Sequence, residues 1–318
     1  MMKKFHLKMA LASACFAGFA GAAAAETFAL DAVSFRDFTG SVDIKTTSGD
    51  EIDVTIRQGK TYSPVTLTEK DGVLVITGER WKEDDGLDCC NRRITRNVDA
   101  RKDRKLTTGA PVDEALFADY PTIEILMPYE GDVEFIDARI RLAMERLAGS
   151  LDLDACYVYG ETGDLGEAAI GVVDGSRLVI GNVAGGLEID MSGDADLRAG
   201  DAAMVDVDIA GPGDVVLGDV AGMLDVSIAG SGLVRVAHMD GPVTARIAGS
   251  GALAVKSGQA KGLRAFIDGS GGVFFRGEAA KSDLTLYGSA EVHLGAAEGR
   301  IARRGGGTVY VGGVKLED

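Results

Sequence analysis

A glycine recurs through the second half of this chain at a nearly fixed interval: Gly193, Gly211, Gly230, Gly249, Gly269 and Gly288 are spaced 18, 19, 19, 20 and 19 residues apart. The text around it repeats as well, as IAGPG, IAGSG, IAGSG, IDGSG and LYGSA. A unit this short cannot bury an apolar face alone, so it must stack on copies of itself. Before each glycine alternate residues are apolar, as in Leu224, Val226, Ile228 and in Val243, Ala245, Ile247. Two more follow it, as in Val234, Val236 and Leu253, Val255. Five such positions in each of six repeats make thirty, and Ser282 alone among them is not apolar. The residues between, including Glu188, Asp190, Asp206, Asp208, Asp225, Ser227, Thr244, Arg246 and Arg264, are mostly polar. That is the period of two that a strand with one buried face requires. The spacing predicts an all-β fold, a single-stranded parallel β-helix (β-solenoid) with about 19 residues per coil and a rise of about 4.8 Å per coil. In this frame Ile228 stacks between Ile209 and Ile247, and Ser227 faces out.

The same signal continues upstream in weaker form, through Ser150–Asp154, Arg177–Gly181 and Gly186–Ile189. Ile140–Leu147 fits either a strand or a helical face; its place one period before the next coil favours strand. Regular coils are therefore expected over 131–318. Residues 26–130 form a less regular β-rich opening, with strands at Gly40–Ile44, Ile52–Ile56, Val65–Leu67, Val73–Ile76 and Ile123–Pro128. Residues 80–120 break the pattern, being densely charged and lacking alternation, and are expected to form an inserted loop. The end of the chain, Gly305–Gly313, resembles a last coil, with Lys315, Glu317 and Asp318 placing charge on its open edge.

Residues 1–25 combine a basic start, an apolar middle and an Ala23-Ala24-Ala25 exit, the pattern of a secretory signal peptide with cleavage expected after Ala25. Cys15 as a lipid-attachment site is the weaker alternative, since Ala12 stands where Leu is usual and ten more apolar or small residues follow. No later run has the length of a membrane span. The mature protein is thus expected in the periplasm or outside the cell. Its charge, 30 basic against 49 acidic residues once Lys3, Lys4 and Lys8 are removed, is −19. That field opposes nucleic acid, anionic membrane surfaces and acidic substrates as partners. Three cysteines remain: Cys89, Cys90 and Cys156. In an oxidising compartment the expected arrangement is one bridge from the Cys89/Cys90 pair to Cys156, with a vicinal Cys89–Cys90 ring as the alternative. No histidine neighbours these cysteines and no C-x₂-C spacing occurs, so no metal site is predicted.

The serial Gly230-Ser231-Gly232, Gly249-Ser250-Gly251 and Gly269-Ser270-Gly271 turns, a Pro-ended strand at Ile123–Pro128 and the closing GGGTVYVGG resemble the autotransporter-adhesin head GIN domain family, a domain of unknown function. The resemblance covers most of residues 28–318. It implies a pectin-lyase-like β-helix in the bacterial envelope, without recognised catalytic residues or cofactor and with a role in adhesion or surface interaction. Two features depart from that pattern: the insertion at 80–120, and the absence of a translocator barrel after the solenoid.

A polysaccharide lyase or hydrolase on a β-helix is the enzymatic alternative, and it needs carboxylates converging in a groove. Here the acids recur at one period as stacked neighbours, Asp196 with Asp214 and Asp190 with Asp208, as a solvated face produces. Ser231, Ser250, Ser270 and Ser289 occupy one turn position in successive coils, which predicts a hydrogen-bonding column at the turn rather than a nucleophile. His238 and His293, the mature histidines, belong to no recognisable motif. A binding module rests on Phe266 and Tyr287, which the frame places on one outer face in adjacent coils with Arg246 and Arg264 nearby; Phe274 falls on the other face beside His293. Envelope glycans or outer-membrane and surface proteins are the partners this reading implies, and a purely structural scaffold is its remaining competitor. The acids Glu188, Asp190, Asp206, Asp208 and Asp225 stack on one outer face, and the basic stretch Arg92–Arg104 is the expected partner in preference to a bound cation.

Overall fold

The computed structural model describes residues 24–60, 64–79, 117, 119–173 and 175–317. The chain is all-β, a parallel β-solenoid, with twenty-five strands and no α-helix among the described residues. Nearly all of the charged insertion, including Cys89 and Cys90, and nearly all of the signal segment lie outside the described residues.

The regular coils follow the glycine period. In one of them Leu224–Gly230 forms the long side, the chain turns at Ser231-Gly232, and Leu233–Val236 forms a second side. A second corner follows at Ala237-His238, where two consecutive residues face out, and Met239 then points inward on the way to the next long side. Pairing is parallel from coil to coil, with Val226 opposite Val207 below and Ala245 above. All thirty inward positions are buried except Ala199, which is half-buried. Ile228 lies between Ile209 and Ile247, as the period requires. Ile140–Leu147 is strand and not helix, apart from a break at Glu145-Arg146 between the element Asp132–Met144 and the next, which starts at Leu147.

The turn glycine is required twice over. Gly193, Gly211, Gly230, Gly249, Gly269 and Gly288 all have positive φ, between 73° and 136°. A Cβ on Gly230 would also lie 2.6 Å from the Gly211 carbonyl oxygen directly below. The serines that follow form a hydrogen-bonding column by a different route from the one expected. Backbone N–H groups of Ser231, Ser250, Ser270 and Ser289 donate to the carbonyls of Gly211, Gly230, Gly249 and Gly269, at 3.2, 2.9, 2.9 and 2.8 Å. The hydroxyls take no part, because the parallel ladder already uses the main chain and leaves the side chain pointing to solvent.

The opening departs from a purely parallel helix. Its strands are β1 Ala24–Phe28, β2 Ala32–Arg36, β3 Thr39–Thr47, β4 Ile52–Arg57, β5 Thr66–Lys70, β6 Val73–Thr77 and β7 Thr122–Pro128. The first full coil strand, β8, is Asp132–Met144. β2 and β3 both lie parallel on β8, with β6 on β2 and β7 on β3. Beyond these the direction reverses: β4 runs antiparallel to β7, β1 to β4 and β5 to β6. The β5–β6 reversal is a two-residue hairpin at Asp71-Gly72, both with positive φ, the conformation that Asp-Gly adopts in such turns. Phe35, Phe38 and Phe135 fill this end of the core, Phe35 stacking on Phe135 at 4.6 Å. β1 begins at Ala24, so the predicted cleavage would leave Glu26–Phe28 of it in place.

At the other end Thr308–Val311 is the last parallel rung of the second side. The chain then reverses at Gly312-Gly313 and lays Val314–Lys315 antiparallel on it. The edge is thus closed by a folded-back strand as well as by charge. On the long side the last strand, Ile301–Gly305, carries Arg303 and Arg304, and charge of this kind discourages edge pairing.

Candidate functional site

Outward residues stack in columns as regular as the core, one strand spacing of about 4.8 Å apart. On the long side one column runs Glu188, Asp206, Asp225, Thr244, Arg264, and a second runs Asp190, Asp208, Ser227, Arg246, Phe266. Phe266 and Tyr287 are about half exposed, and their rings meet edge to face at 5.9 Å. Arg246 lies in the coil directly below Phe266, and Arg264 is two residues from it on the same strand face. The four sequence candidates therefore share one patch. Arg246 is already engaged, its guanidinium donating to Asp225 at 2.6 Å.

That contact changes the account of the acidic stack. Its described cationic partner is Arg246, from the next coil, while the stretch Arg92–Arg104 lies outside the described residues. Partial burial pushes the Asp206 carboxyl above the usual carboxylate range, with Asp225, Asp208 and Glu188 adding to the shift and Arg246 offsetting part of it. Among the described residues no group of three or more His, Cys, Asp or Glu is placed to hold a metal ion.

Other acids are absorbed by the architecture. At the second corner Asp164 Oδ1 accepts the N–H of Asn182, Asn182 Oδ1 that of Asp201, and Asp201 Oδ1 that of Asp219, at 2.8, 2.9 and 2.8 Å. His238 and Ser257 extend this ladder, Nδ1 to Oγ at 3.1 Å. A glycine precedes each acidic or amide member, as Gly163, Gly181, Gly200 and Gly218. This Gly-Asp/Asn recurrence is a second periodic signal that the glycine-turn alignment leaves unread. On the sides, Asp196 pairs with Arg177 at 3.5 Å and Asp214 with Arg235 at 3.3 Å.

An open groove of about 770 Å³ with a mainly apolar lining lies on the second side. The outward column above it runs Val216, Arg235, Ala254, Phe274, His293, Tyr310. Its upper three members are stacked rings: Phe274 on His293 at 5.0 Å and His293 on Tyr310 at 4.3 Å. His293 also meets Glu291, Nε2 to Oε2 at 3.1 Å. Beside this column stand Lys256 and Arg276, flanked by Ala237, Gly295 and Gly312. Among the described residues neither cation has an acidic partner. The pairing of Phe274 with His293 was legible from the period; the third ring and the cations were not.

Cys156 is buried and disulfide-bonded. Its position is the corner of the strand Leu147–Thr162, where Ala155 and Cys156 are buried in succession.

No protein-family model matches the chain, and no curated protein matches it in sequence. Among solved structures, a putative adhesin from Parabacteroides distasonis aligns at 13% identity and TM-score 0.40, covering 92% of this chain and 96% of that one. A putative lipid binding protein from the same organism aligns at 15% identity and TM-score 0.38, covering 92% and 97%. A putative adhesin from Parabacteroides merdae aligns at 15% identity and TM-score 0.38, covering 92% and 96%. Likeness at this level leaves the role to be argued from the chain's own residues.

Proposed function

We propose that this chain is a non-catalytic binding module of the bacterial cell envelope, exported by its N-terminal segment and acting in adhesion or surface interaction. The single observation that carries this reading is the second-side groove. It is open to solvent, apolar in its floor, rimmed by stacked rings and supplied with cations inside a chain of net charge −16. Exposed rings beside basic groups are what interaction hot spots use. Asp164, Asp201, Asp196, Asp214 and Asp225 are engaged in the corner ladder and in ion pairs between coils, and the other acids of the long-side stack stand in columns on one sheet face instead of converging in a groove. The partners this supports are envelope glycans or outer-membrane and surface proteins. The test is retention: immobilised mature protein and its Phe274→Ala/Arg276→Gln variant are exposed to purified envelope glycans and outer-membrane proteins. Material held by the first and released by the second supports the proposal. Equal retention by both, or none by either, overturns it in favour of a structural scaffold.

A further inference from the structure

The second-side column contains one gap. Arg235, Ala254 and Phe274 occupy the same outward position in three consecutive coils. Phe274 has one ring face covered by His293. The ring leans over Gly272, and its other face looks toward the coil below, where Ala252 and Ala254 carry only methyl groups that fill little of the rung. Arg235 lies in the next coil down, its guanidinium turned away from this notch to Asp214. A ring seated over Ala254 would lie about one strand spacing, 4.8 Å, from Phe274, within the range at which rings stack. It would add one rung to a stack whose existing members are 5.0 and 4.3 Å apart.

The chemistry of the walls selects the occupant. One wall is apolar, matching the C–H face of a pyranose. Lys256 stands one residue beyond Val255, and Arg276 one beyond Phe275, so both cations lie in the coils that form the notch. With no acidic partner among the described residues, they form a local positive patch that overrides at short range the repulsion expected from a chain of net charge −16, and they call for an anionic group on the ring's edge. The acids nearby are spoken for, Asp214 by Arg235 and Glu291 by His293. Length decides between a single ring and a chain of them. The groove lining runs from Val216 to Gly313 across six rungs, about 24 Å, and it is open along its side. Small residues at Ala237, Gly295 and Gly312 keep it clear on both sides of the cations.

We infer that the groove binds an acidic polysaccharide, with one uronate ring stacked on Phe274 over Ala254 and its carboxylate held by Lys256 and Arg276. This rests on the reading of the second side as a binding surface and names the ligand class.

The experiment uses mature protein, polygalacturonate oligomers, the same oligomers fully methyl-esterified, and benzoate, titrated calorimetrically at low and at physiological salt. Binding of the acid form should weaken with salt, and the esterified form should bind at least ten-fold more weakly. Ala254→Phe, which fills the notch while leaving every charge in place, should weaken binding at least ten-fold. Lys256→Gln/Arg276→Gln should do the same and flatten the salt dependence. Ser231→Ala, at an exposed turn between the two sides, should change nothing. Melting temperatures of all variants are measured alongside, since these are surface positions whose replacement should leave the fold intact. Equal affinity for the two oligomer forms, tight binding retained by Ala254→Phe, binding of benzoate alone, or binding of none of the three overturns the inference. In that last case, envelope material still retained by the wild type and lost from Phe274→Ala/Arg276→Gln leaves the binding-module reading standing, and loss of that too removes both.

Discussion

Truncating Ile228 to Ala while leaving its outward neighbour Ser227 as control tests the inward frame at its centre. Ile228 is 2% exposed and lies between Ile209 below and Ile247 above. Removing three buried carbons forfeits about 2.4 kcal/mol of transfer free energy at about 0.8 per methylene. The stacked isoleucines are fixed by ladders on both sides and cannot move in to fill the gap. A void of about 60 Å³ left open at about 24 cal/mol per Å³ adds about 1.4 kcal/mol. The expected cost is therefore close to 4 kcal/mol, near the upper end of such truncations. Ser227→Ala touches no core atom and should fall within about 0.5 kcal/mol. Urea unfolding of the mature chain followed by the far-UV β signal gives both numbers. A long repeat array can lose cooperativity, so the comparison is valid only if the slope with denaturant is shared by wild type and variants. Equal losses from the two substitutions, or a loss below about 1 kcal/mol for Ile228→Ala, would refute the frame.

Three further outcomes are expected. Gly230→Ala forces a Cβ into a backbone at φ 136° and against the Gly211 carbonyl, and should cost about 2 kcal/mol or more, read as a drop in urea midpoint. Ser282 is buried in a core column with its Oγ lacking a hydrogen-bond partner; Ser282→Ala should therefore raise stability by about 1 kcal/mol, and a loss in the same assay would count against that accounting. Asp206 has its carboxyl raised above the usual carboxylate range, so the folded state holds this proton more tightly than the unfolded one. Its contribution falls as pH rises from the ordinary aspartate value through the raised folded one and stays unfavourable above it. Asp206→Asn should accordingly stabilise the protein at neutral pH and flatten stability against pH in the mildly acidic range; a steeper profile in the variant would contradict the assignment.

The solenoid was legible because one glycine per coil fixes phase and period-two alternation fixes which residues point in. Those two signals name thirty inward positions from Leu187 to Leu294, all buried but the half-buried Ala199, and they miss the core residues at the corners, such as Ala195, Val220 and Met239. Strand direction in the opening was not legible from alternation, which is identical for parallel and antiparallel pairs. The Asp71-Gly72 dipeptide did carry it, since a two-residue connection can join only antiparallel strands. The patch of Phe266, Tyr287, Arg246 and Arg264 followed from the period; the pairing of Arg246 with Asp225 depends on how a long side chain leans across coils, which no spacing encodes. The Phe274–His293–Tyr310 stack escaped for a related reason. Tyr310 follows His293 by 17 residues rather than 19, because the last coil is shorter, so strict periodicity misplaces it.

The hydrogen bonds that join coil to coil run along the solenoid axis, and the two ends of the chain lie at opposite ends of that axis. A pull applied between those ends loads the bonds of one coil at a time, as a zipper does, instead of shearing many rungs together. Each coil that lets go releases about 19 residues, or up to about 65 Å of chain at full extension, in exchange for one rung of about 4.8 Å. Under tension the molecule should therefore lengthen in steps of nearly equal size, giving a regular sawtooth in single-molecule extension. A solenoid built this way dissipates a tug in small instalments and keeps the remaining coils, and whatever they hold, folded.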